Sequence, residues 1–471
     1  MNSLKNSNSK KIIGTLVGFA FAVAISFLPP FEGLDQKSMI VLGTLVCAII
    51  YWIADVMPDF AVSLMMCASW VVLGVVPFND AFSQFSGTSW WMVIGGLGIG
   101  IAVSGTGLMK RIALHVMKFF PTTFKGQSLA VLLAGLIVSP TIPSTNAKGS
   151  IAAPLSLSIS DTMGYERKSR ASAGLFLAMF FGFVCASPIF LSATFMNYVG
   201  RGLLDESVQT QLTWGNWFLY ALPWAVIFIV GSYIAIKHFF GPKNDTKLPG
   251  DFLKNQLKEL GAMSKNEKIT AIVLIGTLIL WMLEKRTGIS SAVIAILAVS
   301  VLVGLKVITV ADFKNNIPWN AVIFIGCALN LGTVLPKVGI DQWIGSTLTP
   351  VIEPVLQNPY VLVVVLALLV YAIRFLLVSL SAAVTIFILI VLPLLANTGI
   401  NPFIIAFATI TSVNIWILQY QNPPFLTTYY AIDGKMATAK QTMLGSVIYM
   451  AVNIVGLLIS VPFWQWFGLL G

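Results

Sequence analysis

Apolar runs of membrane-crossing length recur along the whole chain, and no other feature limits its fold as strongly. Ile12 to Leu28, Met39 to Ile53, Trp217 to Ile236, Ile269 to Leu283, Ala292 to Val307 and Met443 to Phe463 are examples. At about 1.5 Å per residue, each is long enough to cross a hydrocarbon core of about 30 Å. A water-soluble fold would have to bury many all-apolar helices at once. Charged residues make up only 10% of the chain, against roughly 25% in soluble domains, which excludes an ordinary globular enzyme.

The net charge of +10 comes from 28 Lys and Arg against 18 Asp and Glu. In a soluble protein this balance would suggest nucleic acid. Here the basic residues cluster in short loops, the positive-inside pattern of membrane proteins, so no nucleic-acid partner is expected and membrane lipids are. Cys47, Cys67, Cys185 and Cys327 stand singly inside apolar segments. They have no metal-ligand spacing and read as small core residues. The first segment lacks a small-residue cleavage site and is expected to be a retained helix.

One long polar stretch, 240–268, carries six lysines and divides the chain into a first half, 1–239, and a second, 269–471. Its lysines place it in the cytoplasm, with the N-terminus. The halves are weakly self-similar. Ser89-Trp90-Trp91 leads to Gly107-Leu108, and Pro318-Trp319 leads to Gly339-Ile340, with Gly107 and Gly339 separated by 232 positions. Ser144-Thr145-Asn146-Ala147 matches Ser379-Leu380-Ser381-Ala382 at 235 positions, and Ser187-Pro188 matches Asn422-Pro423-Pro424 at a similar offset. Three matches in order argue for duplication. Lys110, Arg111, Lys118 and Lys125 follow the first motif, whereas the equivalent stretch of the second half holds Asp341, Glu353 and Lys337. Equivalent loops therefore lie on opposite faces, which describes an inverted-topology repeat of the kind found in secondary transporters.

Each half also contains a broken apolar segment. Leu129 to Val138 and Ile151 to Ile159 flank a polar stretch holding Pro140, Pro143, Ser144, Thr145, Asn146, Lys148 and Gly149. Each arm spans half a membrane, so a re-entrant hairpin over about 128–163 is expected. Tyr360 to Leu395 is too long for one span, and a second hairpin over about 360–396, turning near Ser379-Leu380-Ser381, resolves this. Further breaks interrupt the segments at about 171–200, through Ser187-Pro188 to Thr194, and about 403–432, through Asn422-Pro423-Pro424 to Thr428. Interrupted helices expose free N–H groups and positive dipole ends, natural ligands for a carboxylate. Lys148 and Arg374 are cations in apolar surroundings. Nearby segments hold no matching Asp or Glu, so an anionic substrate is a candidate counter-charge, the other reading, for Arg374 above all, being that it snorkels to a surface or bonds loop carbonyls.

At these residues the chain resembles the divalent anion/sodium symporter (INDY-type) family of di- and tricarboxylate transporters. That family carries Ser-Asn-Thr at each hairpin tip, followed two residues later by Thr. The first motif here reads Ser144-Thr145-Asn146-Ala147-Lys148, with Pro154 at the family's hairpin proline, and the second Ser379-Leu380-Ser381-Ala382-Ala383. Lys148 replaces the Thr, as in the family's exchangers of citrate for succinate or of 2-oxoglutarate for malate. Arg374 stands five residues before Ser379, where that branch is also basic. Ala383 departs from exchangers that have His there. The resemblance implies a homodimer of scaffold and mobile transport parts, moving as an elevator. It further implies sodium-free exchange of C4/C5 dicarboxylates (succinate, malate, fumarate or 2-oxoglutarate), with a Na⁺-coupled dicarboxylate or citrate symporter as the alternative. The substrate-binding set is Ser144, Thr145, Asn146, Lys148, Thr194, Arg374, Ser379, Ser381, Pro424 and Thr428, with no metal or cofactor.

An intramembrane enzyme is disfavoured, because the two histidines, His115 and His238, lie beside basic loops at segment ends. The expected protein is an all-α polytopic protein of the cell membrane, with about 11 transmembrane helices and two re-entrant hairpins.

Overall fold

A computed structural model describes residues 2–395 and 398–470. The regular structure of the described residues is all helix, without strands. Among the described residues, eight segments are long and apolar enough to cross a membrane, and five shorter apolar helices of 10–17 residues accompany them. The protein is thus an all-α polytopic membrane protein. One run is shorter than its composition suggests: Ala292 to Val307 is helical only over Ser291–Gly304. Left-handed backbone at Lys306 (φ 59°) follows its end, and 14 residues reach only about 21 Å.

Small residues let the helices approach closely. A Cβ on Gly14 would meet Ala54, and one on Gly43 would meet the Ala22 carbonyl. The helices Asn2–Phe27 and Gln36–Ala54 therefore pack antiparallel. This pair defines two faces. Lys10 Nζ donates to the Ile53 carbonyl at 3.3 Å on one face, and Ser38 Oγ donates to the Val338 carbonyl at 2.6 Å on the other.

The repeat is visible in two glycines. Gly107 (φ 79°) and Gly339 (φ 73°) both take left-handed backbone, and each caps a helix, Leu108–Met117 and Ile340–Leu356. Only a residue without a Cβ does this at no steric cost. Arg111 ties the first helix to the linker region, pairing with Glu267 at 2.5 Å and donating to the Gly261 carbonyl at 3.1 Å. Beside the second, Lys337 pairs with Asp80 at 2.7 Å, next to the Ser38–Val338 contact. Equivalent helices therefore lie on opposite faces, here termed the linker face and the far face.

Two groups of helices result. A framework group packs Asn2–Phe27, Gln36–Ala54, Asp59–Val72 and Trp319–Lys337 together, with Thr88–Gly105 against Ser291–Gly304 and Lys265–Met282. A hairpin group joins both broken segments to Trp214–Phe240, Pro359–Ile373 and Ala439–Trp466.

Candidate functional site

The first hairpin runs down Phe124–Val138, turns through Ser139–Thr141 and returns as Thr145–Thr162. Pro140 and Pro143 stop the first arm because they lack the amide that would continue it. Ser144 starts the second arm, its Oγ accepting from the Ala147 amide at 3.3 Å. The second hairpin comprises Pro359–Ile373 and Leu380–Val391, and the end expected at Ala396 lies outside the described residues. Ser379 caps its return arm as Ser144 caps the first, accepting from the Ala382 amide at 3.3 Å.

Both broken segments share one plan. Arg170–Phe180 widens into a π turn at Phe181–Cys185, unwinds, and restarts as Phe195–Gly202 under the Thr194 cap. Pro402–Ser412 unwinds and restarts as Pro423–Tyr430, where Asn422 Oδ1 accepts from the Phe425 amide at 2.9 Å.

These four restarts converge. A cavity of about 500 Å³ is lined by the first two residues of each: Thr145 and Asn146, Phe195 and Met196, Leu380 and Ser381, Pro423 and Pro424. Val378 and Ser379 extend this wall, and Lys10, Trp52, Ile53, Asp55 and Asp59 of the framework group line the cavity as well. Helix N-termini carry partial positive charge and unpaired amides. The proline pair contributes the dipole but no donors. The cavity thus offers dipoles, amides, hydroxyls and an Asn amide, a set suited to an anion.

Of the residues singled out from sequence, Thr145, Asn146, Ser379, Ser381 and Pro424 line this cavity. Ser144 faces an adjoining cavity of about 780 Å³, which also touches Pro143, Asn266 and Asp312 on the linker face. Thr194 lies behind the wall, its Oγ1 accepting from the Met196 amide at 3.3 Å. Thr428 is fully buried and packs against Gly149, where an added Cβ would fall on its Oγ1.

The two cations point away from the cavity. Lys148 is completely buried. Its ammonium donates to Ser139 Oγ at 2.9 Å, Ser187 Oγ at 2.7 Å and the Ala193 carbonyl at 2.8 Å. Arg374, equally buried, donates to the carbonyls of Val413 and Val378, each at 3.0 Å, and of Leu377 and Gln421. Each cation therefore ties one hairpin to the break of its own half. Among the described residues, neither has an acidic partner. From sequence both were open to direct pairing with substrate, with snorkelling or loop carbonyls as the other reading of Arg374; in this conformation protein oxygens hold all three Lys148 donors, and Arg374, buried rather than snorkelling, is surrounded by carbonyls.

Sequence reasoning missed Phe195, Met196 and Asp59 in the cavity wall, and Ser139, Ser187 and Gln421 as partners of the cations. The Thr194 and Asn422 caps could have marked the restarts. Nothing local marks Asp59, which reaches the site only through the tertiary fold.

The family model described as the sodium:sulfate symporter transmembrane region matches residues 9–470. The L-tartrate/succinate antiporter of Escherichia coli is 24% identical over 396 residues, covering 78% of this chain and 80% of that protein. Dicarboxylate transporter 1 of Spinacia oleracea chloroplasts is 25% identical over 344 residues, covering 72% of this chain and 60% of its own. The crystal structure of the Alcanivorax borkumensis YdaH transporter, 14% identical, covers 92% of this chain and 99% of its own with a TM-score of 0.59, which places the two in one fold. With a match across nearly the whole length and the hairpin and break architecture in place, the chain belongs to the divalent anion/sodium symporter family.

Proposed function

We propose that this transporter exchanges C4/C5 dicarboxylates, such as succinate, malate, fumarate and 2-oxoglutarate, across the cell membrane without sodium. The observation that carries the reading is the convergence of four helix N-termini on one cavity, backed by two buried cations without acidic partners. A dianion at the cavity balances the formal charge of Lys148 plus Arg374. An empty hairpin group would carry that charge uncompensated into low dielectric, which raises the barrier to its return. Exchange follows, because each passage needs a bound anion. Sodium is unnecessary because the ammonium and guanidinium already occupy the loop oxygens a soluble cation would need.

Ser144, Thr145, Asn146, Ser379 and Ser381 bind the carboxylates through hydroxyls and amides, with the Thr194 and Pro424 helices adding their dipoles. Lys148, Arg374 and Thr428 act from behind by fixing the hairpins and supplying charge. The hairpin group moves as an elevator against the framework group in a homodimer, with the N-terminus and the 240–268 linker in the cytoplasm. The cavity rim then faces the cytoplasm. The relatives named as a dicarboxylate transporter and a tartrate/succinate antiporter support the substrate class and the mode. The family description, a sodium:sulfate symporter, supports a second reading, Na⁺-coupled dicarboxylate or citrate symport. Counterflow in proteoliposomes against a panel of dicarboxylates, citrate and sulfate tests the proposal. Uptake driven by internal C4/C5 dicarboxylates is expected, and a carrier that responds only to sulfate or citrate contradicts it.

A further inference from the structure

One framework side chain is held by two residues of the hairpin group, on the side away from the cavity. Ser89 lies in the first turn of Thr88–Gly105 and is buried. Its hydroxyl accepts from Arg201 Nη1 at 3.3 Å and donates to Gln209 Oε1 at 3.2 Å. Arg201 stands near the end of Phe195–Gly202, the helix whose first two residues line the cavity. Gln209 lies in the next helix, Glu206–Gln211, just before Trp214–Phe240. Both are braced within their own group. Arg201 also donates to the carbonyls of Leu212 at 3.0 Å and Gln209 at 2.7 Å, and Gln209 Nε2 donates to the Leu204 carbonyl at 2.7 Å. On the framework side, Trp90 donates to the Val322 carbonyl at 2.9 Å, which anchors the turn that carries Ser89. The backbones also meet closely here. A Cβ on Gly202 would stand 2.8 Å from Leu329 Cδ2 and 2.9 Å from Ser89 Cβ.

Chain direction puts this contact on the far face. Thr88–Gly105 runs toward Arg111 on the linker face, so its first turn lies at the opposite end. Trp214–Phe240, which starts after Gln209, likewise ends at the linker. The cavity instead reaches Lys10, Ile53 and Asp55, at the linker-face ends of the first two helices.

We propose that Ser89, Arg201 and Gln209 form a one-sided latch that favours the linker-open position of the hairpin group, resting on the elevator reading above. A buried hydroxyl that satisfies both a guanidinium and an amide oxygen stabilises only the position in which it reaches both. When the hairpin group moves, Ser89 stays with the framework and the contact is lost. The second half carries no counterpart. The position equivalent to Ser89 is Pro318 by the tryptophan match, or Ala321 by the spacing of Gly107 and Gly339. Neither side chain can donate or accept a hydrogen bond. The inverted repeat is broken at this point, and the latch acts on one end position alone.

The test is the distance between spin labels on Lys314→Cys in the framework and Thr162→Cys in the hairpin group, both exposed. The four native cysteines are buried and do not compete for label. The full-length carrier is measured in lipid nanodiscs, with and without succinate. Ser89→Ala is expected to raise the share of the second distance, relative to that of the present position, at least about fivefold, because buried partners are left unpaired in one position only. Gly202→Ala keeps the hydroxyl but crowds Leu329 and Ser89, and is expected to shift the distances in the same direction. It carries the test where Ser89→Ala does not fold. Distances that ignore both variants, or shift the other way, while succinate counterflow proceeds overturn the latch and leave the functional reading intact. A shift in Gly202→Ala alone ascribes the effect to packing and also overturns it. Distances that follow the variants in a carrier that moves no dicarboxylate uphold the latch and overturn the functional reading.

Discussion

The Lys148 ammonium donates to the Ser187 hydroxyl at 2.7 Å, bridging the tip of the first hairpin and the break in the helix that follows it. Arg374 does the same in the second half through the Val413 and Gln421 carbonyls. The two clamps come from opposite arms of their hairpins. Lys148 lies on the return arm, and Arg374 ends the entry arm.

Lys148→Thr removes both the charge and the reach to Ser187 and Ala193. Exchange is expected to fall at least about 100-fold, the scale on which a misplaced positioning element acts. Expression and detergent monodispersity should remain, because threonine leaves polar groups near the vacated oxygens. Unchanged exchange would remove Lys148 from the mechanism.

Arg374→Lys keeps the charge and loses the fork. One ammonium cannot reach carbonyls on Leu377, Val378, Val413 and Gln421 together. Leaving buried carbonyls unpaired costs about 1–3 kcal/mol each. A drop of several degrees in apparent melting temperature is expected, with loss of exchange. Equal melting temperatures would show that the clamp holds nothing.

Gly149→Ala tests the contact between the two halves of the site. The added Cβ falls on Thr428 Oγ1, and Thr428 Cβ stands 3.1 Å away. Exchange should fall in the single variant. Partial recovery is expected in Gly149→Ala/Thr428→Ala, which removes the nearer atom. No recovery would place the effect of the glycine elsewhere.

Asp35 caps the helix Gln36–Ala54, and its carboxyl is held below the ordinary value of 3.8 by the Ser38 hydroxyl and amide. A group with a depressed folded pKa stabilises fully above its unfolded value and loses this as pH falls through the folded one. Apparent melting temperature should therefore decline below a pH of about 4 in wild type. Asp35→Asn keeps an acceptor but not the charge, and should flatten that limb. Identical acid limbs would contradict the cap.

How much of this could be read from the residues depended on what marks a turn. The first hairpin is punctuated by Pro140, Pro143 and Gly149, so both arms and the tip show in the sequence. The second turn, between Ile373 and Leu380, holds neither Gly nor Pro. It is stabilised by the Arg374 side chain bonding the Leu377 and Val378 carbonyls, a device that sequence shows only as one cation in an apolar run. The repeat was legible because Gly107 and Gly339 need left-handed backbone at equivalent caps. Loop carbonyls were an open reading of Arg374, but which carbonyls it reaches, and the hydroxyls that hold Lys148, were not legible, because a charge pattern reveals a missing acidic partner but not neutral oxygens brought close by the fold. Asp59 was invisible for the same reason. It lines the cavity only where framework and hairpin groups come together.

Replacement of sodium by fixed cations, and the exchange it enforces, are checked by counterflow in proteoliposomes loaded with unlabelled succinate. Labelled succinate should enter without sodium, and entry should stop when the internal pool is omitted. Uptake that follows an inward sodium gradient and is indifferent to internal dicarboxylate would contradict both.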